Sequence, residues 1–161
     1  MANDEEIKTE LINKFDFLKD KIRVQRARRI FTDYLDLKQW EKVFDYIVDE
    51  KKYDILLTIT GLDEGENLGF IYHLAHENGN VINLKSFVPK KNPVIKSITE
   101  RLPIAELYER ELVDMFGAVV EGLPEGLRYP LPDDWPQGEF HLRKDWQPET
   151  PEKKEEVKAN E

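Results

Sequence analysis

Three consecutive segments with strand character, joined by short turn sequences, most strongly limit the folds open to this 161-residue chain. The predicted strands cover residues 54–62, 68–76 and 81–88. Between the second and third, Asn78-Gly79 suits the positive-φ positions of a tight hairpin turn. Strands joined in this way pair in antiparallel fashion. We therefore predict an antiparallel sheet at the centre of the fold.

Helical periodicity flanks these strands on both sides. Apolar residues recur every three to four positions in 3–19, 37–50 and 104–116, which is typical of helices with one buried face. The alternating segment 21–31 is predicted to form a fourth strand. This order of elements predicts an α+β domain over residues 1–117, with a mostly antiparallel four-stranded sheet and helices packed on one face.

The C-terminal part of the chain has a different composition. Residues 118–148 contain five prolines and three glycines and sustain neither period. They also carry Trp135, Phe140 and Trp146, which a free linker rarely contains. We therefore predict an extended Pro-rich docking arm that lies on this domain or on a neighbour. Residues 149–161 are charged and almost free of apolar side chains, so we expect a disordered tail.

The composition excludes several classes of function. The chain has 24 Lys and Arg against 33 Asp and Glu, and a net charge of −9 argues against a general nucleic-acid binder. It has no Cys, which removes disulfides, thiolate nucleophiles and any iron–sulfur cluster held by its own thiolates. The first residues lack a signal-peptide pattern and no apolar run is long enough to span a bilayer, so we expect a cytoplasmic domain.

The last predicted helix contains the residues of greatest chemical interest. Its apolar stripe consists of Ile104, Leu107, Tyr108, Leu112 and Met115. Glu111 projects into the middle of that stripe, where a carboxylate must be paired, hydrogen-bonded or protonated. The candidate partners of this carboxylate are Arg101, Arg128, Arg143 and Lys144. Gly117 is predicted to end the helix as a left-handed cap.

Catalytic interpretations of the same residues have less support. Glu109 and Glu111, with His141, could form an acid/base site, but helical residues two apart diverge by about 200°. His73 and His76 lie three apart in a predicted strand and point to opposite faces, so no protein-bound metal is expected. A structural role in anchoring the arm or docking a partner is favoured.

A basic run leaves one alternative open. It consists of Lys21, Arg23, Arg26, Arg28 and Arg29. A small RNA-binding or adaptor module would also need exposed aromatic residues on the central strands, for which Phe70 and Tyr72 are available. Because the chain is acidic overall, we favour an acidic protein partner or the acidic surface of this chain as the counterpart of the basic run.

Three blocks in the last third resemble the signature of a known family. Residues 109–117 (ERELVDMFG), 131–135 (LPDDW) and 142–146 (LRKDW) occur in the order found in the thirty-kilodalton subunit of respiratory complex I. Related subunits occur in membrane-bound, energy-converting hydrogenases. The three blocks span 38 residues, and the preceding order of helices and strands is compatible with this family.

The resemblance implies a non-catalytic structural and assembly subunit of the cytoplasmic peripheral arm, attached to the membrane only through its partners. It would pack on the large hydrogenase-like subunit, with iron–sulfur subunits nearby and no nucleic acid. The chain would carry no cofactor, while iron–sulfur clusters, and in hydrogenases a NiFe centre, belong to partners. The short terminus favours a ferredoxin-linked [NiFe]-hydrogenase type of complex. The matched residues, with an implied role in ion pairing and docking, are Glu109, Arg110, Glu111, Asp114, Gly117, Trp135, Arg143, Lys144, Asp145 and Trp146.

Overall fold

A computed structural model describes residues 3–148, so the tail predicted at 149–161 lies outside the described residues. The helices are α1 (Asp4–Lys14), α2 (Leu37–Asp45) and α3 (Ala105–Phe116), with a 3-10 turn at Asp16–Leu18 and a π-helical turn at Tyr46–Glu50. The strands are β1 (Ile22–Arg26), β2 (Arg29–Thr32), β3 (Ile55–Asp63), β4 (Asn67–Ala75), β5 (Val81–Pro89), β6 (Val94–Lys96) and β7 (Val119–Glu121).

The main sheet has five strands in the order β1-β2-β5-β4-β3. The β2–β5 pair is parallel and the other pairs are antiparallel, so the fold class is α+β with a mixed sheet. The predicted four-stranded sheet is wrong because segment 21–31 forms a hairpin rather than one strand. The chain reverses at Ala27-Arg28, where Arg28 has a φ of 64°. The alternating pattern continues through this turn, and therefore does not reveal it.

One face of the sheet packs against all three helices. The ring of Trp40 in α2 lies 4.6 Å from that of Tyr72, and the ring of Phe116 in α3 lies over Gly61. Phe70 and Tyr72 are only 0% and 2% exposed. The aromatic residues on which the RNA-binding alternative depends are therefore part of the core and unavailable for stacking on bases.

The opposite face of the sheet is covered by none of the three helices. The strand register shows which side chains share this face, because paired residues on neighbouring strands point to the same side. It aligns Arg23 with Phe31, Phe31 with Asn83, and Asn83 with His73. A polar ladder crosses this face, because the imidazole of His73 contacts Thr60 Oγ1 at 3.0 Å and Asn83 Oδ1 at 2.5 Å. We call this surface the open face, and its members include Arg23, Arg26, Arg29, Phe31, Thr60, Ile71, His73, Asn83, Lys85 and Phe87.

A second, two-stranded parallel sheet joins the segment before α3 to the segment after it. β6 pairs with β7, and the backbone N–H of Ser97 donates to the carbonyl of Glu121 at 2.8 Å. The first residues of the predicted arm thus contain a strand. Sequence analysis missed both strands because three residues are too few to show a period, and Pro93 and Gly122 border them.

Gly61 is expected to be essential for the packing of α3 on the sheet. A Cβ atom at this position would lie 2.4 Å from Cε2 of Phe116, so Gly61→Val overpacks the contact. We expect the free energy of unfolding to fall by about 2 kcal/mol, measured by urea denaturation. Combining Gly61→Val with Phe116→Leu should recover part of the loss, whereas strictly additive effects would contradict the contact.

Candidate docking site

The face of α3 that enters the core differs from the predicted apolar stripe. The buried residues of α3 are Ala105, Glu109, Leu112, Asp114 and Phe116. Ile104 and Leu107 are 55% and 49% exposed, and Glu111 is only partly buried. The prediction that Glu111 is the buried acid is therefore wrong. Glu109 occupies that place because nearby donors satisfy its carboxylate, which hydrophobic periodicity alone does not reveal.

Glu109 links α3 to the preceding turn. Its side chain is fully buried and accepts hydrogen bonds from the backbone N–H of Ile98 at 2.8 Å and from Ser97 Oγ at 2.7 Å. Burial raises the pKa of Glu109, and the donors from Ile98 and Ser97 oppose that shift only in part. Both carboxylate oxygens are engaged within the fold, so this residue positions the backbone of 97–99 against α3.

Asp114 binds the arm near the other end of α3. Its carboxylate accepts from Nε of Arg128 at 3.0 Å and from the backbone N–H of Leu131 at 3.2 Å. Arg128 in turn donates through Nη1 to the carbonyl of Trp135 at 2.7 Å. The predicted partner set thus included Arg128, but the structure pairs it with Asp114 rather than with Glu111.

Arg110 holds an earlier part of the arm. Its Nη2 donates to the carbonyl of Pro124 at 2.7 Å and to Glu106 Oε1 at 2.9 Å, and its Nη1 reaches the carbonyl of Leu127 at 3.3 Å. The guanidinium passes so close to Gly126 that a Cβ there would lie 2.3 Å from Nη2. The segment from Pro124 to Leu127 therefore follows a path held by backbone contacts with a single arginine.

Gly117 and Arg143 close the contact at the C-terminus of α3. Gly117 has the predicted left-handed conformation, with a φ of 66°. Arg143 donates through Nε to the carbonyl of Phe116 at 2.6 Å, and its guanidinium lies 4.6 Å from the centroid of the Phe140 ring. A Cβ on Gly117 would lie 2.5 Å from that ring. Glycine is thus required here both for its conformation and for the close approach of the arm.

The two tryptophans of the arm form an aromatic cluster with a histidine. Ring centroids lie 5.2 Å apart for Trp135 and His141, and 5.9 Å apart for His141 and Trp146. Both indole N–H groups donate to Glu139, one to its carbonyl at 3.0 Å and one to its carboxylate at 3.3 Å. Trp135 and Trp146 are partly buried, so the cluster gives the arm a small core of its own.

Asp63 receives the end of the arm at the β3–β4 turn. Its carboxylate accepts from Lys90 Nζ at 2.6 Å, from the backbone N–H of Lys144 at 2.8 Å and from that of Gly65 at 2.8 Å. Lys90 also pairs with Asp145 at 2.9 Å. Although burial opposes it, the bonds from Lys90, Lys144 and Gly65 lower the pKa of Asp63 to about 2. Sequence analysis missed Asp63, because an acid in a turn sequence is ordinarily solvated.

The described residues do not form the acid/base site that was considered as an alternative. Glu109 is enclosed by the core, whereas Glu111 lies toward the surface. His141 packs between Trp135 and Trp146. Within residues 3–148, no group of three or more His, Asp or Glu side chains has the geometry to hold a metal, and no helix is long and apolar enough to cross a bilayer.

Exposed aliphatic side chains lie where the outer side of α3 meets the edge strand β3. Leu57 is 48% exposed, similar to Ile104 and Leu107. Ile55, 45% exposed, pairs with Ala75 and therefore lies on the open face. The hydroxyl of Tyr108 donates to the carbonyl of Leu57 at 2.9 Å, which aligns the first turns of α3 with the start of β3. We call Leu57, Ile104 and Leu107 the apolar patch. Clusters of this kind mark contact surfaces more often than isolated apolar residues do.

The carboxylate of Glu109 is expected to make stability depend on pH. Since burial raises its pKa above the ordinary 4.5, the stabilisation by its protonated form is complete below pH 4.5 and is lost as the pH rises through the raised pKa. Glu109→Gln should therefore gain stability relative to the wild type at pH 8 but not at pH 4. Glu109→Leu, which strands the Ile98 N–H, should lose about 2 kcal/mol in denaturant unfolding at either pH. If the free energies of unfolding of the wild type and Glu109→Gln changed identically with pH, this account would be contradicted.

The ion pair of Asp114 is expected to hold the arm in place. Asp114→Ala removes the acceptor for Arg128 and for the Leu131 N–H, and should cost about 2 kcal/mol of unfolding free energy. Limited proteolysis should then cut within the arm, and the fluorescence of Trp135 and Trp146 should shift toward that of solvated indole. Asp133→Ala, at an exposed position of the same arm, is the matched control. Equal protease resistance in both variants would show that the pair does not fasten the arm.

Comparisons with known proteins agree on one family. A sequence profile described as the 30 Kd subunit of respiratory-chain NADH dehydrogenase matches residues 34–152. Among curated relatives, the subunit named C of the F(420)H(2) dehydrogenase from Methanosarcina mazei is 32% identical over 117 residues, covering 71% of this chain and 73% of the relative. The membrane-bound hydrogenase subunit beta of Pyrococcus furiosus is 37% identical over 87 residues, covering 52% of this chain and 50% of the relative.

A third relative is a subunit of an NADH-quinone oxidoreductase. The subunit named C of the NADH-quinone oxidoreductase from Chloroherpeton thalassium is 31% identical over 112 residues, which cover 66% of this chain and 46% of the relative. The chain thus spans about half the length of two of these three relatives.

Solved structures give the same result. A chain of the membrane-bound sulfane sulfur reductase, an archaeal respiratory membrane complex, matches with a TM-score of 0.72 and 26% identity, covering 89% of this chain and 85% of that chain. A trypsin-resistant fragment of Nqo5 matches in fold, with a TM-score of 0.61 and 21% identity over 74% of this chain and 99% of that chain. The chain belongs to the family of the 30-kDa subunit of the respiratory-chain NADH dehydrogenase, whose members are subunits of oxidoreductase complexes.

Proposed function

We propose that this chain is a non-catalytic structural and assembly subunit of the cytoplasmic peripheral arm of a membrane-bound redox complex. In this proposal it packs on the large subunit related to the [NiFe]-hydrogenase large subunit. The apolar patch is the observation that carries the proposal. Three large aliphatic side chains are about half exposed on a chain in which 35% of residues are charged, and burying them against a partner would remove that apolar area from water.

The engagement of the motif residues supports a role without chemistry. Arg110 and Arg143 donate to backbone carbonyls, and Asp114 pairs with Arg128. The hydrogen bonds of these groups are directed into the fold. Such groups hold the backbone in place and are not available to bind a substrate. Glu109 is likewise enclosed, so these four ionisable residues of the family signature link α3 to its neighbouring segments.

We further propose that electrons pass through iron–sulfur clusters, and in a hydrogenase a NiFe centre, on other subunits. The chain has no Cys with which to ligate such clusters. It would be attached to the membrane through its partners, without contact with nucleic acid. Among the possible complexes we favour the ferredoxin-linked hydrogenase type. The similarity to a membrane-bound hydrogenase subunit supports the hydrogenase type, whereas the similarity to an F(420)H(2) dehydrogenase subunit supports a complex with another electron donor.

The apolar patch is expected to be required for assembly. Leu57→Glu with Leu107→Glu places two charges in the proposed contact without disturbing buried residues, because both side chains are about half exposed. The amount of large subunit that co-purifies with the tagged chain should fall about tenfold or more, since a partner would have to bury unpaired charge. The isolated variant should melt like the wild type.

The control is Val119→Glu, which introduces a charge at an exposed apolar residue outside the patch. It should leave co-purification unchanged. Normal retention of the large subunit by the double variant would contradict docking through the patch.

In the intact complex, hydrogen evolution with reduced ferredoxin would support the hydrogenase type, whereas activity only with NADH or a reduced deazaflavin would exclude it.

A further inference from the structure

The open face of the sheet has a charge opposite to that of the whole chain. Its strand positions carry Arg23, Arg26, Arg29 and Lys85, although acidic residues outnumber basic ones by 33 to 24 in the sequence. Asp63 is the only acidic residue within the five strands of the main sheet, and its register with Leu68 places it on the helix-covered side. Positive charge is therefore concentrated on the face that no helix covers.

Most of these cations have no carboxylate partner within residues 3–148. Arg23 pairs with Asp33, but Arg26, Arg29 and Lys85 take part in none of the ion pairs of the described residues. The ammonium of Lys85 lies 5.4 Å from the centroid of the Tyr34 ring, which attracts the cation but carries no opposite charge. Three cations without an ion-pair partner among the described residues thus share one surface.

The cations lie on β1, β2 and β5, on one side of the polar ladder that crosses β3, β4 and β5. Burial lowers the pKa of His73, the bond to Asn83 opposes this, and the positive charges of Arg29 and Lys85 lower it further. Both cations therefore act on the same imidazole, Lys85 from the neighbouring strand β5 and Arg29 from β2 beyond it. Apolar side chains lie beside them, with Phe87 38% exposed and Phe31 and Ile71 partly buried. The surface combines positive charge with apolar contacts.

We propose that the open face docks an acidic segment of another subunit, in which Asp or Glu side chains alternate with apolar ones. Carboxylates of that segment would pair with Arg26, Arg29 and Lys85, while its apolar residues would contact Phe31, Ile71 and Phe87. The proposal rests on the proposed function, because the partner is a subunit of the same complex. It concerns a different surface, since the apolar patch lies at the outer side of α3 and the edge of β3.

The chemistry of the face favours a protein segment over single-stranded nucleic acid. Sequence-tolerant nucleic-acid binding depends on aromatic rings on which successive bases stack. The rings of Phe70 and Tyr72, on central strand β4, are turned into the core. A chain of net charge −9 would also repel a long polyanion, whereas a short acidic segment interacts with only the local positive field.

Zero-length carbodiimide cross-linking of the purified complex tests the proposal, because it joins lysines only to carboxylates in direct contact. Lys85 should be joined to an Asp or Glu of another subunit, as identified by mass spectrometry. Lys38 and Lys42, exposed on α2, are the matched lysines and should not give that product. Cross-links from Lys85 only to acids of this chain, or none from Lys85, would overturn the proposal.

Charge reversal provides an independent measurement. Arg26→Glu with Arg29→Glu should reduce retention of the cross-linked subunit about tenfold at about 0.15 M salt, whereas Lys38→Glu with Lys42→Glu should not. Both variants should melt like the wild type. Equal losses in the two variants would overturn the proposal, as would tight binding of a labelled oligo(U) that is lost in the Arg26/Arg29 variant.

The two proposals fail in different ways. If the wild-type chain retains no other subunit on purification, the proposed function fails together with the open-face contact. An intact complex in which Lys85 gives no cross-link to another subunit refutes only the open-face contact.

Discussion

Buried carboxylates that are fully hydrogen-bonded within the fold hold together the parts of this protein that have no regular secondary structure. Glu109 binds the turn at 97–99, Asp114 binds Arg128 and Leu131, and Asp63 receives Lys144. In each case a single acid accepts a hydrogen bond from at least one backbone N–H that has no acceptor within a helix or strand. A segment with little apolar area of its own can thereby be fixed on the domain, because its polar backbone is not left unpaired.

These acids differ in how the protein accommodates their charge. Asp63 has the ammonium of Lys90 beside it, and its pKa is lowered to about 2, whereas Glu109 has only neutral donors and a raised pKa. The difference follows from position: Asp63 lies at a turn that long side chains reach, and Glu109 lies between helix and sheet. The folded state therefore favours the ionised form of one acid and the protonated form of the other.

Local patterns in the sequence predicted the elements but not their relations in space. The strands at 54–62, 68–76 and 81–88 were found within one residue, since alternation and turn chemistry are local signals. The parallel pairing of β2 with β5 depends on contacts about fifty residues apart. The rotation of α3 about its axis depends on the packing of Phe116 over Gly61. Because the sequence does not show this contact, the apolar stripe that includes Ile104 and Leu107 predicts the wrong buried face. The pairing of Arg128 with Asp114 rather than with Glu111 depends on the path of the chain after α3, which no local pattern shows.

The exposed stripe of α3 and the basic open face share a physical explanation. In an isolated domain, burial of Ile104 and Leu107 would remove apolar area from water, and pairing Arg26, Arg29 and Lys85 with some of the many acids would offset their positive charge. Neither occurs among the described residues, although the same chain satisfies its internal acids closely. Apolar contact provides affinity with little orientation, and charge complementarity provides orientation and discrimination among partners. A protein with one surface of each kind is suited to hold two neighbours in a fixed relation.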